Sequence, residues 1–215
     1  MEHHLVNPDA VRKNRTKAVI RKTPPSADNS TPSLFDTQLP SRPFAAPAEK
    51  TTISYVFGDA TYPRLTGTDV LVHVVNDGAV IWGAGFGKAV RFRWPQAQSQ
   101  FRKWVKLEAR RLRLGEIHVC SISPKFWIVQ LIAQHGYGPS TLPRIRYDSL
   151  RICLTKLADF MGTTGAVLHM PRIGCGEAGG HWGKIYPLIE ETLCAHGIEV
   201  VVYALPDNRK RKGGN

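Results

Sequence analysis

The chain has 215 residues, 42% of them hydrophobic and 9% aromatic, and a formal net charge of +12. That length allows one domain with tails, or at most two small domains, and the apolar fraction is enough for a packed core. No apolar run approaches a membrane span, and Cys120, Cys153, Cys175 and Cys194 form no CxxC pair, which argues against a disulfide scaffold and a zinc site.

The charge calls for an acidic partner or substrate. The N-terminus lacks the hydrophobic segment of a signal peptide, so a cytoplasmic protein with reduced thiols is expected, or a nuclear one in a eukaryote. Residues 1–50 are rich in Pro, Ser, Thr and Asn with no sustained apolar period, and read as a disordered basic tail. Its cluster Arg12, Lys13 and Arg15 with Lys17, Arg21 and Lys22 either contacts nucleic acid or is a solvated linker. Residues 207–215, with Arg209 to Lys212, form a second basic tail.

Between the tails, residues 51–206 alternate strand and helix patterns. Strands are predicted at Ile53–Phe57, Val70–Val75, Ile117–Ile122, Phe126–Ile132, Ala166–Met170 and Glu199–Ala204. Several are continuous apolar runs, the pattern of strands covered on both faces. The helical region from Lys88 to Arg113 is expected to break at Pro95. Leu150, Cys153, Leu154, Leu157 and Met161 recur at helical spacing, as do Trp182, Ile185, Ile189 and Leu193, with Gly197 placed to cap the second helix. The expected fold is an α/β three-layer αβα sandwich around a largely parallel mixed sheet, with its ligand at the carboxyl ends of the strands.

Two glycine-rich loops carry the chemistry. Asn76 to Gly87 follows the second strand and includes Trp82, Gly83, Ala84, Gly85 and Phe86; Pro171 to Trp182 precedes the last helix. Each reads as a loop that lets backbone approach a sugar and phosphate, or as a tight turn that needs glycine. Neither fits GxGxxG or a P-loop. Cys175, between glycines near an expected helix N-terminus, is predicted to have a lowered pKa. His73, inside an apolar strand, reads as a satisfied core histidine or a catalyst.

Phe57-Gly-Asp59, Leu71 to Asn76 leading into Trp82-Gly-Ala-Gly85, and Met170 to Gly176 together resemble the macrodomain family. The resemblance spans about residues 53–205, and is nearest to the subclass of the terminal ADP-ribose protein glycohydrolase and the ALC-type remodeller, in bacterial members. It implies an ADP-ribose cleft. Asp59 and Ala60 would meet adenine, unless Asp59 is a cap or turn residue after the first strand, and Tyr203 would either stack on adenine or stand as a core or surface aromatic. Asn76 would contact the distal ribose. Trp82, Gly83, Ala84, Gly85 and Phe86 would wrap that ribose and its phosphate. Arg172, Ile173, Gly174, Cys175, Gly176, Glu177 and Ala178 would form the diphosphate loop.

The sequence departs from this pattern where the human-type glycohydrolase has its catalytic pair. The loop Ala133-Gln-His-Gly136 has no lysine, and Ala178 replaces the aspartate after Gly-Cys-Gly. Asn76, Asp77, His135 and Glu177 remain as catalytic residues, with Gln134 beside them. His135 would act as an acid or base, or is a loop histidine hydrogen-bonded to backbone; Asp77 or Glu177 would orient a water, or are solvated loop carboxylates. The expected activity is hydrolysis that removes ADP-ribose from Glu- or Asp-modified protein. The alternatives are a non-catalytic reader of ADP-ribose or poly-ADP-ribose and an ADP-ribose 1''-phosphate phosphatase, with His73 at the residue implicated in the latter.

Expected partners are ADP-ribose or ADP-ribosylated protein, and nucleic acid through the tails and Lys88–Arg113. There the basic residues interleave with Phe92, Trp94, Phe101 and Trp104, either as a polyanion surface or as a core with a solvated face. No metal, cofactor or membrane contact is expected, and the chain is expected to be monomeric.

Overall fold

The structure, a computed structural model, describes residues 49–107, 112–162 and 164–205. Residues 1–48, the C-terminal tail from residue 206, and Glu108, Arg110 and Arg111 of the basic region lie outside the described residues.

The strands are β1 (Ile53–Phe57), β2 (Asp69–Asn76), β3 (Ile117–Ser123), β4 (Phe126–Gln134), β5 (Val167–Pro171) and β6 (Val200–Ala204). They form one sheet in the order β1-β6-β5-β2-β4-β3, in which β3–β4 is the antiparallel pair and every other pair is parallel. Parallel neighbours require crossovers, and the helices supply them. They are α1 (Gly85–Arg93), α2 (Pro95–Leu107), α3 (Tyr147–Gly162) and α4 (Trp182–Thr192).

The sheet divides the core in two. Val70, Val72, Val129 and Leu131 pack with Leu150, Leu154, Leu157, Ile185 and Ile189 under α3 and α4. Leu71, Val75, Ile128 and Ile132 pack with Val90, Ala97 and Phe101 under α1 and α2. The residues of α3 that are buried are Leu150, Cys153, Leu154, Leu157 and Met161, the periodic positions in the sequence. Each of its leucines contributes roughly 1.5–3 kcal/mol by leaving water, and Leu154→Ala would cost about 2–5 kcal/mol.

Pro95 does separate two helices: it is the first residue of α2, where its missing N–H costs nothing. Gly197 is placed differently from expectation. Helix α4 stops at Thr192, and Gly197 instead caps a short 3-10 turn over Cys194–His196.

One irregularity positions the site. The β2–β4 register slips between Val75 and Asn76, so Asn76 lies opposite Gln134 and Ala133 is skipped. Such a bulge re-aims the side chains at a strand end. Here that end is the carboxyl edge, where the loops after β2, β4 and β5 meet.

Candidate functional site

The bulged end of β2 leads into a turn closed by Asn76, whose Oδ1 accepts the N–H groups of Gly78 (3.0 Å) and Ala79. This holds the backbone of the first glycine loop and leaves the Asn76 amide nitrogen available. Asp77 turns towards the β4 loop. Its Oδ1 accepts the Gly136 N–H at 2.8 Å, and its Oδ2 meets His135 Nδ1 at 2.7 Å. Burial would push the Asp77 carboxyl up, but the Gly136 N–H and the hydrogen bond and charge of His135 outweigh it and hold it below its ordinary value. The His135 side chain is 60% exposed, against 18% for Asp77. The pair is therefore an imidazole anchored on one nitrogen and open on the other.

Arg144 joins this pair to the second glycine loop. Its guanidinium donates to the carbonyls of Gly138 (3.0 Å), Pro139 (2.7 Å) and His135, while its backbone N–H donates to the Ala178 carbonyl at 2.8 Å. A pocket of about 180 Å³ opens there, with Gly138, Thr141, Pro143, Arg144, Glu177 and Gly179 in its lining.

The two glycine loops touch. At Gly85 φ is +54°, and a Cβ there would lie 2.8 Å from Glu177 Cγ. Gly85 also begins α1, whose N-cap Ala84 offers no side-chain oxygen. The first-turn N–H groups of Gly85, Phe86 and Gly87 thus have no side-chain cap, and such uncapped donors at a helix N-terminus suit an anionic ligand.

The second loop runs to α4, which starts at Trp182 as its period predicted, and His181 Nδ1 caps the helix by accepting the Gly183 N–H at 3.3 Å. Gly174–Gly176 thus lie several residues ahead of the helix N-terminus. The loop is folded tightly on itself, with the Gly180 N–H donating to the Gly174 carbonyl at 2.8 Å. A Cβ on Gly180 would come within 2.6 Å of that oxygen. Cys175 loses its expected activation with the helix terminus: burial raises its thiol pKa, against the opposing charge of Arg172.

Asp59 is exposed on the loop after β1, where its Oδ1 accepts the Thr61 N–H at 2.8 Å. Below this loop lies a buried network that sequence reasoning missed. Tyr203 accepts the Arg64 N–H (2.9 Å) and meets His169 Nδ1 (3.1 Å), while His169 Nε2 meets Asp69 Oδ1 (2.9 Å). The ionised Asp69 carboxylate can only accept, so His169 Nε2–H donates to it, and in the neutral ring Nδ1 is left to accept the Tyr203 hydroxyl proton. The Asp69 carboxyl is held below its ordinary value: burial raises it, but the His169, Thr66 and Gly67 hydrogen bonds prevail.

Several expected ligand side chains are core residues. Ala60, Trp82, Ile173, Ala178 and Tyr203 are each less than 5% exposed, so the first four reach the cleft only through backbone. Tyr203 supports the Asp59 loop from beneath, with its hydroxyl in use. Arg172 is exposed, its guanidinium 6.0 Å from the Trp182 ring centre. His73 is buried but not satisfied. Neither ring nitrogen has a partner, nor has Trp82 Nε1, and the two rings meet edge-on at 4.9 Å. Burial pushes the His73 pKa down to about 3. Among the described residues, no group of three or more His, Cys, Asp or Glu is placed to hold a metal ion, and no helix is long and apolar enough to cross a membrane.

No protein-family model matches the chain. A solved macrodomain protein from Streptomyces coelicolor is 38% identical, with a TM-score of 0.62; the match covers 71% of this chain and 99% of that one. The chain belongs to the macrodomain family. Among curated proteins, this macrodomain is 29% identical over 172 residues to the mouse chromodomain-helicase-DNA-binding protein 1-like, and spans only 19% of that protein's length. It is 28% identical over 160 residues to the bovine ADP-ribose glycohydrolase OARD1, covering 74% of this chain and 95% of the relative.

Proposed function

We propose that this macrodomain binds ADP-ribose at the carboxyl edge of its sheet and hydrolyses the bond joining it to a Glu or Asp side chain of modified protein. The observation that carries the reading is the meeting of three groups at one edge: the uncapped N-terminus of α1, Glu177 across from Gly85, and the Asp77–His135 pair. The likeness to a glycohydrolase of ADP-ribose supports it.

The first-turn N–H groups of α1 and the backbone of Gly174–Gly176 take the diphosphate. Asn76 offers its amide nitrogen to the distal ribose, and Asp59 keeps one carboxylate oxygen for the adenine amino group. His135, oriented by Asp77 through Nδ1, uses Nε2 to take a proton from a water. The water oxygen bonds to the anomeric carbon as the bond from that carbon to the acceptor oxygen breaks, and the electron pair leaves on the acceptor carboxylate. Glu177 is the second group able to orient the water. Incubation with glutamate-ADP-ribosylated protein tests the reaction: free ADP-ribose should appear, whereas a reader leaves the label in place.

The reader is retained as a second reading because of Ala178. Its side chain is buried and its carbonyl holds Arg144 and Ile145, so no acid sits where the resemblance puts one. The phosphatase reading draws no support from His73, which is sealed behind Trp82 and Phe86.

A further inference from the structure

The two helices on the α1–α2 face differ from the pair on the other face in how their charges are matched. Helix α1 with Trp94 and α2 runs from Gly85 to Leu107 and contains Lys88, Arg91, Arg93, Arg102, Lys103 and Lys106, but no Asp or Glu. None of the six cations has an ion-pair partner among the described residues. On the opposite face, Arg151 pairs with Glu191 and Lys156 with Glu116. In α2 the spacing i, i+1, i+4 puts Arg102, Lys103 and Lys106 on the solvent side, opposite buried Ala97 and Phe101. Unmatched like charges repel one another, so such a face gains by neutralisation from outside.

Aromatic rings lie bare among these cations. Phe92 is 68% exposed, with the Arg91 guanidinium 5.2 Å and Lys88 Nζ 5.9 Å from its ring centre. Tyr62, from the loop after β1, is 67% exposed, and Arg93 lies 5.0 Å from its ring centre. Large rings left in water cost free energy unless a partner covers them. Phosphates for the cations and unpaired bases for the rings are what a single strand of nucleic acid offers; a duplex hides its base faces.

We infer that the α1–α2 face, with Tyr62, is a docking surface for single-stranded nucleic acid. It borders the ADP-ribose cleft at the loop of Asp59, whose carbonyl accepts the Tyr62 N–H, but does not depend on that reading. The strand's phosphates lie along Arg102, Lys103 and Lys106, and its bases stack on Phe92 and Tyr62.

Fluorescence anisotropy of labelled oligodeoxythymidylate with the full chain tests this. Replacing Tyr62 and Phe92 together by Ala should weaken binding by roughly tenfold or more, leaving its salt dependence unchanged. Replacing Arg102, Lys103 and Lys106 by Gln should weaken it and flatten the slope of log affinity against log salt by about 2. These substitutions sit at exposed positions of separate elements, so each variant can be checked for an unaltered melting temperature and the two sets stand apart. Wild-type affinity in either variant, or tighter binding of a duplex or of poly-ADP-ribose, would overturn the inference.

Discussion

His135 and Asp77 come from loops 58 positions apart and meet at 2.7 Å, Nδ1 to Oδ2, with the Gly136 N–H fixing the other carboxylate oxygen. The contact fixes the imidazole's orientation and leaves Nε2 facing out. If this pair performs the hydrolysis, Asp77→Asn and His135→Ala should each lower kcat by roughly 10²-fold or more. ADP-ribose affinity should change much less, because neither residue holds the diphosphate. Titration calorimetry beside a release assay separates the two effects.

Gly85, the first residue of α1, is closely faced by Glu177. Gly85→Glu would force a side chain into a positive-φ position, against a Cγ only 2.8 Å from the new Cβ. It would also place a carboxylate at the uncapped N–H groups expected to hold phosphate. Binding of ADP-ribose should fall below detection while the melting temperature drops by only a few degrees. A variant that still binds well would refute the loop's role.

His73 makes stability depend on acid. In the fold its pKa is about 3, against an ordinary value of 6.5. Below pH 6.5 the unfolded chain takes up a proton that the folded protein refuses. Stability should therefore fall by about 1.4 kcal/mol per pH unit from 6.5 down towards the folded value. His73→Val removes the titrating group and its two unpartnered nitrogens, so chemical denaturation across this range should show a flatter acid limb.

Tyr203→Phe deletes one hydroxyl that serves two partners. The Arg64 N–H and buried His169 Nδ1 would both be left unpaired, at a cost of about 1–3 kcal/mol. The loop carrying Asp59 would loosen with it, so ADP-ribose affinity should fall as well. His169→Phe should act in the same direction by stranding Asp69 and the tyrosine, and thermal melts with parallel titrations read both effects.

The sequence disclosed most where one element sufficed. The continuous apolar runs of β2 and β4 and the period of α3 announced themselves, because burial on two faces or one stripe leaves a local pattern. The glycine loop after β2 was legible for the same reason: strand, turn and helix start are contiguous. Contacts across register were not. Asp69 and His169 are 100 residues apart and meet only because β2 and β5 are neighbours in the sheet. His73 could not be judged from its strand, since its surroundings come from Trp82 in the following loop and Phe86 in α1. In the second glycine loop the start of α4 was legible, but the close backbone approach at Gly180 and the burial that raises the Cys175 pKa were not, because both depend on how the loop folds on itself.

The most direct measurement is calorimetric titration of the full chain with ADP-ribose. Saturable one-site binding is predicted, abolished by Gly85→Glu and nearly unaffected by His135→Ala. No heat of binding at millimolar ADP-ribose would contradict the account.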